Sequence, residues 1–480
     1  MDLSQAIVYD IESLPNVFTL NFVGLHSDIE ATFEISQFRD DRVYLFKWFD
    51  YWQANQTPMI GFNSLAYDFP LLHYIRSDPY CSEWDIYNQS QAIISGGRFG
   101  SVVWQDDRFA PQIDLLKIHH LDNPAKRTSL KALEVNMRLD NVLEMPLPFD
   151  QPLTAEQIET VLVPYNKYDV RATKQFALYS MPAIEFRLGI SETLQGDVLN
   201  WSDTKIGGKL LEARLGDDLC YTRDSGRREP RQTPRDRIPL ADIIFPYVAF
   251  RSPPLQQVLD WLKGQTLVPD ELTETLRTKG VLTGLVATVA GFDFHFGTGG
   301  IHGSVSSRRV EATPDRAIVD IDVASLYPSI AIVNRLYPEH LGERFADEYA
   351  RLPAERKEWQ AKKGKKCTEA NSLKLAANGT YGNSNNRYSV FYDPKFTMTI
   401  TVNGQLMLAM LAERLLTVPT LQILMVNTDG ITFTVHPDLL SYTRRLYHDW
   451  EKLTKLNLEE ALFTRIFIRD VNNYVAEYEE

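Results

Sequence analysis

Asp320-Ile321-Asp322-Val323-Ala324-Ser325-Leu326-Tyr327-Pro328-Ser329 is the stretch on which the reading of the whole chain turns. The residues just before and into it, Ala317–Ile321, form a β-rich run, and a strand there delivers Asp322 to its end. The chain then turns into a helix that starts near Ser325. A carboxylate beside the free amides of a helix start can hold Mg²⁺ and cradle a triphosphate together. A strand followed by an ordinary Ser-capped helix would use the same residue types.

Two further blocks lie downstream. In Lys374-Leu375-Ala376-Ala377-Asn378-Gly379-Thr380-Tyr381-Gly382, a helix places Lys374, Asn378 and Tyr381 at i, i+4 and i+7, on one face. That face offers a cation, an amide and an aromatic ring. The plainer alternative is a solvated helix that ends with Gly382 as its C-cap. Leu421–Val426 and Ile431–Val435 read as two strands of a hairpin, with Asn427-Thr428-Asp429-Gly430 as its polar tip. Taken alone, that tip is simply favourable turn chemistry.

In order, these blocks resemble motifs A, B and C of family B DNA polymerases. The resemblance implies a palm built on an antiparallel sheet with helices, carrying short helical fingers. It makes Asp322 and Asp429 the catalytic carboxylates, ligating two Mg²⁺ or Mn²⁺ ions with help from the Val323 carbonyl. Ser325, Leu326 and Tyr327 would contact the nucleotide, Tyr327 stacking under the deoxyribose and excluding a 2′-OH. Lys374, with Lys362, Lys363 or Lys366 a turn or more earlier, would hold the triphosphate, supported by Asn378. Tyr381 and Gly382 would meet the nascent base pair. Gly299-Gly300, in the Gly-rich run 296–305, resembles the element that holds the template strand. Tyr474 stands where the family grips the primer with Lys-x-Tyr, although Asn472 replaces the Lys. Motif C departs as well. The usual Asp-Thr-Asp-Ser has Asn427 for its first Asp and Gly430 for its Ser, while Asp429 retains the carboxylate that ligates both metals in the family.

The first 180 or so residues read as α/β. Ala6–Ile11 is a β-rich run, Glu30–Ile35 alternates as a half-buried strand does, and Pro58–Phe62 is a third apolar run. Thr154 and Gln157 have capping-box spacing, and Pro164 suits the first turn of a helix through Tyr165–Leu178. Asp10 and Glu12, two apart on a strand, leave the same face, as two carboxylates presented to one divalent ion must. Asp68 lies where a strand hands over to a helix, and Tyr165 and Asp169 share a helical face. Four acids and a tyrosine suit metal-assisted phosphodiester hydrolysis. As an ordered set, Asp10-x-Glu12, Asn63-x4-Asp68 and Tyr165-x3-Asp169 resemble the three motifs of the DnaQ-like 3′–5′ proofreading domain, an RNase H-like fold. That implies Asp10, Glu12, Asp68 and Asp169 as metal ligands, Tyr165 orienting the attacking water, and Asn63 contacting a single-stranded DNA end.

The resemblance lays the chain out as an exonuclease domain (1–185), a connecting region or insertion with the start of the palm (186–300), palm (301–345), fingers (346–392) and palm again (393–480). Residues 221–237, with six Arg, read as a solvated linker or insertion loop, with a DNA-backbone contact as the sharper alternative. Residues 405–416 read as a buried amphipathic helix. Asp322 to Lys374 spans 52 residues and Lys374 to Asp429 spans 55, too short for the insertions of protein-primed relatives. The expectation is therefore a phage-like replicase that extends nucleic-acid primers, with dNTPs and primer–template DNA as partners. With only six residues after Tyr474, it would lack a thumb and depend on a thumb-supplying or clamp protein. A chain active only as a nuclease, or a catalytically silent assembly subunit, are the alternatives.

Composition bounds these readings. The chain has 480 residues and a net charge of −13, with 44% apolar residues, which excludes a disordered, collagen-like or disulfide-scaffold protein. Its three scattered cysteines fit a reducing compartment, and no apolar run approaches a membrane span, so the expected location is the cytoplasm, that of the host if the protein is viral. The acid excess is unusual for a nucleic-acid binder. Positive charge is concentrated in 351–374, with eight Lys/Arg against three Glu.

Overall fold

The computed structural model describes residues 2–96, 101–121, 128–196, 198–270 and 276–479. The chain divides into two compact units, Met1–Ile206 and Gly207–Glu480.

The first unit is built on a five-stranded sheet among the described residues. Its strands are β1 (Ile7–Leu14), β2 (Val17–Gly24), β3 (Glu30–Ser36), β4 (Met59–Gly61) and β5 (Gln112–Asp114), in the order β3-β2-β1-β4-β5. β1, β2 and β3 form an antiparallel meander, and β4 and β5 continue the sheet in parallel with β1. Alternation along β1 splits its side chains between two cores. Tyr9 and Ile11 pack with Phe18, Leu20 and Trp52 of α1 (Arg42–Asn55), while Val8 packs on the other face with Ile113 and Val170. Asp10 and Glu12 therefore share the face of Val8, against which α3 (Val163–Ile190) lies. The Thr154–Gln157 capping box forms, with both of its reciprocal hydrogen bonds. α3 begins at Val163 after a π-helical turn and continues to Ile190, well past the expected end at Leu178. Its Ile184 and Ile190 are buried, so packing carries the helix through Pro182.

The second unit centres on an antiparallel sheet of nine strands among the described residues. They are β6 (Val286–Val289), β7 (Phe292–Phe296), β8 (Ile301–Ser304), β9 (Arg308–Glu311), β10 (Ala317–Val323), β11 (Gln422–Asn427), β12 (Gly430–Val435), β13 (Leu458–Asp470) and β14 (Asn473–Tyr478). The order is β6-β7-β8-β11-β12-β10-β13-β9, with β14 paired to β13. Val319, Ile321 and Val323 of β10 enter the large core, which also takes in α7 (Pro394–Leu415) and Trp450 of α8 (Leu440–Thr454). Asp320 and Asp322 alternate with them and leave by the other face.

Two expectations are corrected here. The helix at 405–416 is not amphipathic. It belongs to α7, which is buried without a break from Phe396 to Ala412 because α4 (Leu326–Val333), α8 and β8 pack around it. Residues 221–237 are largely exposed loop, as expected, but the loop is tied down. Tyr221–Thr222 pairs with Glu229–Pro230, the Arg228 guanidinium lies 3.3 Å from the Tyr221 ring centroid, and Arg235 bridges Asp393 and Glu339. Acids elsewhere in the unit bind its arginines, a pairing that local composition does not reveal. The helix carrying Lys374 also runs on to Asn383, past Gly382, so Gly382 is not its cap.

Gly303 fixes the spacing of β7 and β8, since a Cβ there would lie 2.2 Å from the Asp293 carbonyl oxygen. Gly303→Ala is expected to destabilise the second unit by about 1–3 kcal/mol, read as a lower midpoint in urea unfolding.

Candidate active sites

In the first unit, one oxygen each of Asp10, Glu12 and Asp169 lies within 4.8 Å of the others, close enough to share a metal ion. β1 supplies the first two carboxylates and α3 the third. Asp68 is the first residue of α2 (Asp68–Ser77) and is buried, outside that tight triplet but within electrostatic reach of Asp10 and Glu12. Asn63, held at φ 62°, donates its backbone N–H to Asp114 at 2.9 Å in the turn between β4 and α2. Burial is the main force on these carboxyls. Repulsion comes next for Asp10, chiefly from Asp68, and for Glu12, chiefly from Asp169. On Asp68 backbone hydrogen bonds pull the other way, and the repulsion comes from Asp114. The net effect raises Asp10 well above the usual carboxylate range, Glu12 to about 8 and Asp68 to about 7. Burial raises Asp169 too, against the opposing pull of Lys131.

Two residues of this site were not read from the sequence. The Nδ2 of Asn166 donates to Asp10 at 2.8 Å and fixes its rotamer. Lys131 pairs with Asp169 and Glu134, with its ammonium 4.7 Å from the Tyr165 ring centroid and 5.3 Å from that of Tyr168. The sequence signal for Lys131 is negligible, since one lysine in a short helix looks like any solvated charge. Tyr165 lies beside Asp169, and burial raises its hydroxyl above the ordinary phenol range.

In the second unit, strand pairing sets the carboxylates. Asp322 faces Gly430 across the β10–β12 ladder, and the Val323 N–H donates to the Asp429 carbonyl at 2.8 Å. Burial raises Asp322 to about 7, helped by the charges of Asp429, Asp320 and Glu459. The interaction between the two carboxyls pushes Asp322 up and pulls Asp429 down, although burial leaves Asp429 above its ordinary value. Asp320 and Glu459 were not singled out from the sequence. Asp320 accepts from Thr432 at 2.6 Å, and Glu459 pairs with Asp322 in the β10–β13 register.

The hairpin tip is tightly built. Thr428 takes a left-handed conformation at φ 61° and hydrogen-bonds His302 at 3.0 Å. A Cβ on Gly300 would come within 2.9 Å of the Thr428 side chain. Gly300 thus lets β8 close on the tip, a packing role beside the expected template contact. Ser325 occupies the N-cap position of α4, but at φ 51° and without a side-chain cap bond, which sets aside the ordinary Ser-capped helix. Leu326 is packed into the core, leaving its backbone as what it has to offer a nucleotide.

The Tyr327 hydroxyl donates to the Gly299 carbonyl, and its ring lies 4.6 Å from that of Tyr381, centroid to centroid. Tyr381 is fixed in turn by Thr401 at 2.9 Å. Lys374, Asn378 and Gly382 are exposed on the same helix, α6 (Thr368–Asn383). Lys362 lies 4.0 Å from Glu358 on α5 (Gly342–Lys363), Lys363 pairs with Glu369, and Lys366 is exposed between the two helices. Tyr474 is 44% exposed and within electrostatic reach of Asp320, Asp322 and Asp429.

No family model matches the sequence, and no curated protein sequence matches it. Among solved structures, the chain is similar to the family B DNA polymerase from the hyperthermophilic archaeon Pyrobaculum calidifontis, with a TM-score of 0.52 and 14% identity. The match covers 99% of this chain and 59% of that one, so this chain spans about three-fifths of that polymerase's length. At that identity the likeness is one of fold. No described helix is long and apolar enough to cross a membrane.

The raised carboxyls give the metal-free protein a defined pH response. Glu12 and Asp68 titrate higher in the fold than their ordinary values of 4.5 and 3.8, so over that interval the folded chain binds more protons than the unfolded one. Stability is then fully present at low pH and falls as pH rises through about 7 and about 8. Thermal melts in EDTA from about pH 5 to about pH 9 should show this loss, and added Mg²⁺ should relieve it. Glu12→Gln should raise the melting temperature in EDTA at the upper end of the range.

Proposed function

We propose that the chain is a DNA-directed DNA polymerase with its own 3′–5′ exonuclease, related to phage replicases and using two divalent ions, Mg²⁺ or Mn²⁺, at each site. The observation that carries the reading is the placing of Asp322 and Asp429. Strand pairing brings them side by side at one end of an antiparallel sheet, next to the packed rings of Tyr327 and Tyr381.

The residues divide the work of nucleotide addition. Asp322 and Asp429 would hold the two ions, which would supply acidification of the primer 3′-OH and neutralisation of charge on the pyrophosphate. Tyr327, tied to Gly299 and packed at a tilt against Tyr381, forms a floor under the sugar of the incoming dNTP. Lys374 and Asn378, exposed on α6, supply a cation and an amide for the triphosphate.

In the first unit Asp10, Glu12 and Asp169 form the ion-holding group, Asp68 adds charge beside it, and Tyr165 orients the attacking water. Lys131 offsets part of the carboxylate repulsion until metal arrives.

A second reading, in which this chain acts alone only as a nuclease, has one observation in its favour: the three-carboxylate group lies in the first unit, whereas the second unit's principal pair has two members. Incubating labelled primer–template with Mg²⁺, with and without dNTPs, separates the two. Lengthening with dNTPs is expected, reduced in Asp322→Ala and in Asp429→Ala by at least about 10³-fold. Shortening under both conditions would leave the nuclease reading standing alone. Asp10→Ala with Glu12→Ala should abolish degradation of single strands and leave synthesis intact. Lys131→Ala should slow degradation by about 10-fold or more without affecting extension.

A further inference from the structure

The helix Asp203–Leu215 has no part in the roles above, yet it meets both helices that carry the candidate triphosphate lysines. Gly207 crosses α6 at backbone distance, since a Cβ there would fall 1.7 Å from the carbonyl oxygen of Leu375, the residue after Lys374. Arg214 lies two turns further on, on the same helical face, and reaches α5. Its guanidinium donates to both oxygens of Glu355, at 2.6 and 2.9 Å, and to Glu348 at 3.4 Å. All three side chains are partly buried, which shields the pairs from salt. Arg351 holds the other oxygen of Glu348 at 2.5 Å.

Pro353 gives this clamp its meaning. It sits inside α5, between Glu348 and Glu355, and has no N–H to offer the Tyr349 carbonyl one turn earlier. A helix bends most readily at such a gap. The two carboxylates gripped by Arg214 stand on either side of it. Tyr349 is also the residue through which α5 holds α6. It is buried, and its hydroxyl donates to the Ala377 carbonyl at 2.6 Å. Ala377 lies between Lys374 and Asn378. Exposed single ion pairs contribute little, but a bidentate, partly buried one that spans a break in a helix restrains its shape.

We propose that Arg214 is a positioning residue for the incoming nucleotide. It splints α5 across Pro353 and so keeps Tyr349 on the segment of α6 that presents Lys374 and Asn378. The nucleotide role rests on the polymerase reading, whereas the splint rests on the three helices alone.

The test is steady-state primer extension with Mg²⁺ by the full chain, at varied dNTP concentration. Arg214→Ala should raise the KM for dNTP by about 10-fold or more and leave kcat within about 2-fold of wild type. In a Pro353→Ala background, where the backbone bond to Tyr349 can form, Arg214→Ala should raise the KM by no more than about 3-fold. A lower melting temperature with a KM within about 2-fold of wild type would leave only a stabilising ion pair and overturn the proposal. So would a rise in KM just as large in the Pro353→Ala background, even where the wild type extends primers. A wild-type chain that extends no primer overturns the nucleotide role and the polymerase reading together.

Discussion

Carboxylates crowded together by β-strand pairing and packing are the constraint on which this molecule is organised. Pairing β10 with β12 leaves Asp322 no way to avoid Asp429, and placing β1 under α3 does the same for Asp10, Glu12 and Asp169. Each contact is unfavourable by itself, because like charges in a partly buried site repel. The backbone ladders and the apolar cores beneath impose it. On β10 the same alternation that buries Val319, Ile321 and Val323 brings Asp320 and Asp322 out together, so hydrophobic packing on one face is the force that holds the charges together on the other.

Strain and close approach gather around the same points. Thr428 and Ser325, both left-handed and neither glycine, flank the Asp322–Asp429 pair, and Asn63 precedes Asp68 in the same conformation. Residues held in this region cost stability unless their surroundings fix them. For Thr428 the fixing contacts are His302 and the close approach of Gly300. A Cβ at Gly430 would come 3.1 Å from a carboxylate oxygen of Asp322, so the residue that departs from the family motif also relieves crowding at the carboxylate. Gly299 and Gly300 belong to the same logic. One offers its carbonyl to Tyr327, and the other lets β8 close on the hairpin tip.

What was legible in the sequence followed from local rules. Period-two alternation placed Asp10 with Glu12, a capping box marked Thr154, and the hairpin strands on either side of Asn427–Gly430 formed where turn chemistry put them. Lys374, Asn378 and Tyr381 do share one helix. What was not legible depended on partners distant in sequence. Lys131 acquires meaning only when α3 brings Asp169 and two tyrosine rings around it. Glu459 joins the Asp322 neighbourhood through strand register alone. The ion pairs of the 221–237 arginines were hidden because Asp217, Glu339 and Asp393, which bind three of them, lie outside the segment. α7 looked amphipathic from a twelve-residue window, but its full length threads the core.

Asn427 shows how a departure from a family pattern can be structural in origin. Its amide nitrogen lies 3.3 Å from the Val471 carbonyl, which ties the hairpin tip to the turn between β13 and β14. An aspartate at that position would have no proton to offer and would set two oxygens against each other. It would also add a charge beside Asp429, in a neighbourhood that already holds Asp320, Asp322 and Glu459. An amide therefore lowers the repulsion at the tip and contributes a contact. The same side chain therefore links the placing of Asp429 to the turn between β13 and β14.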